Sequence, residues 1–198
     1  DAAGEAYDKV ARVLGLGYPG GPAVEMAALG ALPAGPAVPG NPTKYRIPEV
    51  SFPDSFDFSF SGVKTAVMNI VNTASQRGET VDIPSLAASF NATVAGTLTK
   101  KLMAAAEELG HTKIAAVGGV SANSELRRRL SLECEKRGFR LFLPEKGLSG
   151  DNGVMAAAAG YYELMAGNIA ATRLNACATM ATEMECPDLN RGSLHTEQ

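Results

Sequence analysis

Residues 113–144 leave a chain of this kind little choice of fold. Lys113-Ile114-Ala115-Ala116-Val117 is a short, mostly apolar run that reads as a buried strand. Gly118-Gly119 follows, then a helical pattern over about 123–137, a second strand-like run Arg140-Leu141-Phe142-Leu143-Pro144, and an alanine-rich helix over 152–166. Strand, glycine turn, helix, strand, helix is the order of a parallel α/β sheet, whose ligands sit beyond the carboxyl ends of the strands. Two glycines after a strand let the backbone turn tightly and approach a ligand with no Cβ in the way. Ser121 or Asn123 can then cap the helix, or hydrogen-bond a phosphate or a ribose hydroxyl. A tight capped turn accounts for the motif equally well by itself.

A second glycine-rich stretch lies near the N-terminus, in Gly4-Glu5-Ala6-Tyr7-Asp8-Lys9 and Tyr18-Pro19-Gly20-Gly21-Pro22. Apolar Ala6, Val10, Val13 and Leu14 give a helical stripe over 5–15 that Gly15 and Gly17 end. Pro22 suits a first helical position, and the next helix runs over 23–29. Residues 30–43 are rich in Pro, Gly and Ala and read as a loop. Period-two alternation predicts short strands over 44–47 and 56–60. Helices follow over 63–74 and 83–109, the second opening at Pro84 and closing at Gly110. From about residue 169 the pattern decays, and a mobile tail is expected.

Composition removes several classes of function. With 45% hydrophobic and 20% charged residues among 198, and a net charge of −3, the chain reads as globular and carries no global field toward nucleic acid or membrane. No segment approaches the ~20 apolar residues of a membrane span, and the N-terminus lacks the zones of a signal peptide. Three cysteines without CxxC spacing predict a reducing, intracellular setting. Opening at Asp1 without an initiator Met predicts an excised domain or fragment.

Chemistry-bearing residues are few. Ser59-Phe60-Ser61-Gly62-Val63-Lys64-Thr65 lacks the GxSxG spacing of a nucleophile elbow, and there is no HExxH pair, so hydrolase and metalloprotease readings are poor. Arg127-Arg128-Arg129 and Lys100-Lys101 could meet RNA phosphates, although a solvated helix face is the more economical reading. Asp151, at the mouth of the last helix, can cap it, hold a divalent cation or orient a phosphate. It and Asn123 are expected at the same end of adjacent parallel strands. Glu25 could accept from ribose hydroxyls.

In combination these stretches resemble the TsaD family, the tRNA threonylcarbamoyladenosine synthesis proteins formerly called glycoproteases or O-sialoglycoprotein endopeptidases. The resemblance rests on Gly4–Lys9, Leu14-Gly15-Leu16-Gly17-Tyr18-Pro19-Gly20-Gly21-Pro22, Phe58–Thr65, Gly118-Gly119-Val120-Ser121-Ala122-Asn123 and Asp151-Asn152-Gly153-Val154-Met155, in family order over roughly residues 1–168. It implies the actin-like ATPase fold shared with sugar kinases and RNase H, here as a C-terminal lobe over 1–168 with a helical insertion around 5–43.

The activity it implies is transfer of a threonylcarbamoyl group from its adenylate to an adenosine beside the anticodon of tRNA. It places Asp8, Gly21, Glu25, Gly118, Gly119 and Asn123 against ATP or the adenylate, and makes Asp151 a ligand to iron or another divalent metal. No protein nucleophile is implied. The implied partners are tRNA, a small paralogous subunit, an ATPase subunit and the N-terminal lobe, all in the cytoplasm. The family's two metal-binding histidines belong to that N-terminal lobe and are not in this sequence, and its usual Cys-Thr before the final Asp-Asn is Ser149-Gly150 here. The expectation is therefore a lobe that binds metal and nucleotide weakly and is inactive alone. A non-catalytic module that pairs with a paralogous subunit is the alternative. A sugar or acetate kinase relative would need phosphate loops and an acidic catalytic residue that the sequence does not show.

Overall fold

A computed structural model of the chain describes residues 2–30, 40–49, 52, 55–170 and 189–191. They form an α/β structure of packed helices with a small parallel sheet. Two compact units divide at Gly150–Asp151.

The first unit opens with α1 (Ala3–Val13) and α2 (Gly20–Ala28), both core elements. Ala6, Tyr7, Val10 and Ala11 bury one stripe of α1, the i, i+3, i+4 spacing of an amphipathic helix. The Tyr18–Pro19 peptide bond between the two helices is cis. Helix α3 (Ser61–Gln76) adds Val63 and Val67 to the same core, and α4 (Ile83–Glu108) runs beneath all three.

At 26 residues, α4 spans roughly 39 Å at 1.5 Å per residue. Its first half is buried nearly all round, from Ser85 through Gly96, and its second half turns Met103 and Ala106 into a separate cluster with Ile114, Leu126, Leu130 and Cys134. One helix thus carries two cores, the first built with α1–α3 and the second with the sheet and α5 (Ser124–Arg137).

The sheet pairs β1 (Lys113–Ala115) with β2 (Arg140–Phe142) in parallel, in the register Lys113↔Arg140, Ile114↔Leu141 and Ala115↔Phe142. Both strands stop two residues short of their apolar runs. Between them lie a 3-10 turn (Gly119–Ala122) and α5, closed by Gly138 at φ +68°, the left-handed end that glycine favours.

The strands expected over 44–47 and 56–60 do not form. Their polar groups meet α4 and its cap instead of a ladder: Tyr45 N–H donates to Ser89 Oγ at 3.3 Å, and the Tyr45 side-chain Oη accepts from the backbone N–H of Asp82 at 3.0 Å. Lys101 Nζ donates to the carbonyls of Ser55 and Asp57 and lies 5.8 Å from the centre of the Phe58 ring. Phe58 and Phe60 stack at 6.1 Å, so the period-two pattern reports side chains pinned to one face, not strand pairing.

Asp82 caps α4. Its Oδ1 accepts from Ser85 N–H at 3.1 Å, and its Oδ2 accepts from Lys44 Nζ at 2.6 Å. The Lys44 hydrogen bond, aided by those from Ser85, holds the Asp82 carboxyl down at about 2 against an ordinary 3.8. A carboxylate whose folded pKa is depressed contributes stability that is complete above its unfolded pKa and is lost as the pH falls through its folded one. The stability advantage of the native chain over Asp82→Asn, which retains a capping oxygen, is therefore expected to shrink between about pH 4 and about pH 2. Urea denaturation at stepped pH checks this; an advantage that grows on acidification contradicts it.

The second unit contains α6 (Gly153–Met165) and an antiparallel pair, β3 (Asn168–Ala170) with β4 (Leu189–Arg191). Its helix is capped by Asn152, whose Oδ1 accepts from Met155 N–H at 3.1 Å, so the capping option weighed for Asp151 falls to its neighbour. The region expected to be a mobile tail thus contributes a paired strand at 189–191; the remainder of 171–188 and 192–198 lies outside the described residues, as does most of the 30–43 loop.

Candidate functional site

A cleft of about 440 Å³ opens in the first unit where α1, α2 and the turn before α5 meet. Asp8, Gly21, Glu25, Gly119 and Asn123 all line it, with Gly4, Tyr7, Tyr18 and Val120. Gly118 is not on the wall. At φ +86° it is the pivot that sends the chain from β1 into the turn, a conformation that L side chains rarely adopt.

Close approach of α1 and α2 makes the cleft. A Cβ on Gly20 would sit 2.5 Å from Asp8 Cα and 2.6 Å from the Tyr7 carbonyl oxygen, so only glycine fits there. The contact is locked by Gly20 N–H donating to Asp8 Oδ1 at 2.8 Å. On the opposite wall Asn123 caps α5, with its Oδ1 accepting from Leu126 N–H at 3.0 Å. Glu25 Oε1 accepts from Ser124 N–H at 3.0 Å, tying α2 to the same helix start.

These contacts occupy three of the backbone N–H groups at the two helix starts. The amides of Gly20, Ser124 and Leu126 are engaged by the side chains of Asp8, Glu25 and Asn123. The cleft therefore presents two carboxylates and an amide to a ligand. Carboxylates accept from hydroxyls and amines and repel phosphate.

Beneath the cleft lies a buried polar chain that sequence reasoning did not single out. Tyr7 Oη donates to Asn91 Oδ1 at 2.6 Å, and Asn123 Nδ2 donates to the same oxygen at 2.9 Å. Tyr7, Asn91 and Asn123 are 2%, 6% and 6% exposed, so the network is largely shielded from solvent and each partner depends on the others. Burial, reinforced by the charges of Glu25 and Glu125, pushes the Tyr7 hydroxyl far above its ordinary range and keeps it a donor. The available signal was an asparagine in the apolar stretch Leu86–Ala95 of α4.

The arginine cluster divides by role. Arg127 is a clamp: its Nε donates to the Ser121 carbonyl at 2.6 Å, and its Nη2 to the Pro144 carbonyl at 2.6 Å and to Ser149 Oγ at 3.2 Å. It joins the turn, the end of β2 and the following loop. Arg128 and Arg129 both pair with Glu125, at 2.8 and 2.6 Å. They face a second cleft of about 490 Å³ between α4 and α5, whose Arg137 is held by Glu107 and Glu133. Ser121 does not cap α5, and its buried hydroxyl has no partner among the described residues.

The donor set does not fit a metal centre. No three His, Cys, Asp or Glu side chains converge among the described residues. Asp151 is an exposed single carboxylate, and a transition metal needs several placed N or O ligands.

The fold and cleft together define an α/β protein whose largely apolar cleft carries two carboxylates and an amide at the start of a helix. The family model for TsaD, tRNA N6-adenosine threonylcarbamoyltransferase, matches residues 1–158, and the chain belongs to that family. It is 46% identical over 177 residues to the tRNA N6-adenosine threonylcarbamoyltransferase of Desulfitobacterium hafniense (strain Y51), covering 89% of this chain and 49% of that protein. It is 40% identical over 189 residues to the protein of the same name from Synechococcus sp. (strain JA-3-3Ab), covering 96% of this chain and 49% of the relative. The chain thus spans about half the length of the relatives it matches. No helix of the described residues is long and apolar enough to cross a membrane.

Proposed function

We propose that this chain forms one wall of the adenylate site of a tRNA threonylcarbamoyltransferase, within an actin-like ATPase lobe, and that its cleft takes the nucleoside end of the adenylate. One observation carries the reading. Asp8, Glu25 and Asn123 converge on the cleft while three helix-start amides around it, those of Gly20, Ser124 and Leu126, are already engaged. Asp8, with one oxygen on Gly20, has a second to accept a ribose hydroxyl; Glu25 can do the same, and Gly21 and Gly119 allow the ligand close to the backbone.

In the whole protein the threonylcarbamoyl group passes from the adenylate to an adenosine amino group of tRNA, in the cytoplasm. The contribution of this chain is positioning, by holding the leaving nucleotide so that the attacking amine meets a fixed carbonyl. The phosphate contacts and any metal site are assigned to the half of the protein that this chain does not span. tRNA, a small paralogous subunit and an ATPase subunit are the partners proposed for the whole protein.

Calorimetric titration with adenosine and with ATP tests this. Both are expected to bind, with affinities within about tenfold of each other, and Asn123→Ala to weaken both by about tenfold or more, the loss of one ligand hydrogen bond. Binding of ATP without adenosine would overturn the nucleoside assignment. An assembly module without chemistry is the second reading, drawn from α6, which exposes Val154, Tyr161, Tyr162 and Met165, an apolar surface of the kind that marks contacts. It expects neither ligand to bind.

A further inference from the structure

The Tyr7–Asn91–Asn123 network has a direction, and its direction follows from one end. Asn123 Oδ1 accepts from the backbone N–H of Leu126, so it is the oxygen, and the other terminus of that amide is the NH2 group. Asn123 Nδ2 must then donate to Asn91, and the atom of Asn91 that receives it must be Oδ1. Tyr7 Oη approaches that same oxygen and so donates as well. Asn91 Oδ1 thus receives two donors, one from α1 and one from the cap of α5. Of the two hydrogens on Asn123 Nδ2, one goes to Asn91, which leaves one on a residue that lines the cleft.

We propose that Asn91, one hydrogen bond behind the cleft wall and on a different helix, is a positioning residue: by accepting from Tyr7 and Asn123 together it fixes the plane of the Asn123 amide and so aims its remaining N–H at a bound nucleoside. The inference rests on the nucleoside reading of the cleft. Without Asn91 the cap to Leu126 still holds Asn123 Oδ1, but nothing fixes the far end of the amide, and two buried donors lose their acceptor. Asp at this position supplies the same acceptor in nearly the same volume. Leu supplies none. Adenosine, being uncharged, reports on the amide without interference from a new carboxylate.

The test uses the isotope-labelled 198-residue chain. In the ligand-free native chain, the Asn123 side-chain amide is expected to show one hydrogen shifted and protected from exchange. Asn91→Asp keeps that signature and Asn91→Leu abolishes it. For adenosine, Asn91→Leu is expected to raise the Kd about tenfold, and Asn91→Asp to stay within about threefold of native. The double variant Asn91→Leu/Asn123→Ala should bind within about twofold of Asn123→Ala alone, because two residues acting through one hydrogen bond do not add.

A merely structural Asn91 gives additive losses in that cycle, and additivity overturns the proposal. So does an Asn123 signal unchanged in Asn91→Leu. If Asn91→Leu does not fold, the native signature and its retention in Asn91→Asp decide the matter: an unprotected Asn123 amide in the native chain overturns it. Failure of the native chain to bind adenosine at all, with the Asn123 signature intact, instead overturns the nucleoside reading.

Discussion

Gly20→Ala is expected to destabilise the first unit by about 3 kcal/mol or more, the upper range for forcing an extra methyl into a packed site. The added Cβ would fall 2.5 Å from Asp8 Cα, 2.6 Å from the Tyr7 carbonyl oxygen and 2.7 Å from Asp8 N. All three atoms are backbone, so no side chain can swing aside, and α1 and α2 must move apart. That movement also breaks the 2.8 Å bond from Gly20 N–H to Asp8, so the cleft loses its shape along with its stability. Thermal unfolding should fall by roughly 10 °C, from about 2–4 °C per kcal/mol for a chain of this size. Gly21→Ala is the control. Nothing lies within 4 Å of its Cβ, and alanine in a helix is favoured by up to about 1 kcal/mol over glycine, so that variant should hold or gain stability. Equal losses in the two variants would show that crowding at Gly20 does not govern the α1–α2 junction.

Phe90→Ala is the second large effect, with an expected cost of about 3–5 kcal/mol from lost burial and the cavity left behind. Phe90 is fully buried on α4, and its ring meets Tyr7 edge-on at 5.1 Å between centroids and 82° between planes. It supports the tyrosine whose hydroxyl anchors the buried network, so adenosine binding should weaken together with stability. Urea unfolding followed by circular dichroism gives the first quantity and calorimetry the second. Phe90→Leu, which fills most of the volume, should recover most of both. A Phe90→Ala chain that loses stability but binds adenosine at the native level would detach Tyr7 from the site.

Where the sequence was legible, local chemistry and packing agreed. Gly118 at positive φ, Asn123 as a cap and Gly138 at a left-handed helix end each do what their residue types suggest, and the β1–turn–α5–β2 order follows from them. The two false strands show where local pattern misleads. Alternation over 56–60 arises because Lys101 and the stacked Phe58 and Phe60 hold an extended segment against a helix, an arrangement no window of five residues reveals. Two contacts of the site join partners far apart in sequence. Glu25 reaches Ser124 across 99 positions, and Tyr7 reaches Asn91 across 84. Asp8, Gly21, Glu25, Gly119 and Asn123 could be named from motifs, while Asn91, which organises the space beneath them, is visible in sequence only as a polar residue on an apolar stretch of helix.

The most direct measurement is a backbone amide map of adenosine binding by two-dimensional NMR on the native chain. The account predicts saturable shifts at Gly4, Gly21, Gly119 and Asn123, which line the cleft between α1, α2 and α5, and none at Gly96, Met103 and Leu132, which line the cleft between α4 and α5. Shifts confined to the second group, or no saturable shift at the first, would contradict it.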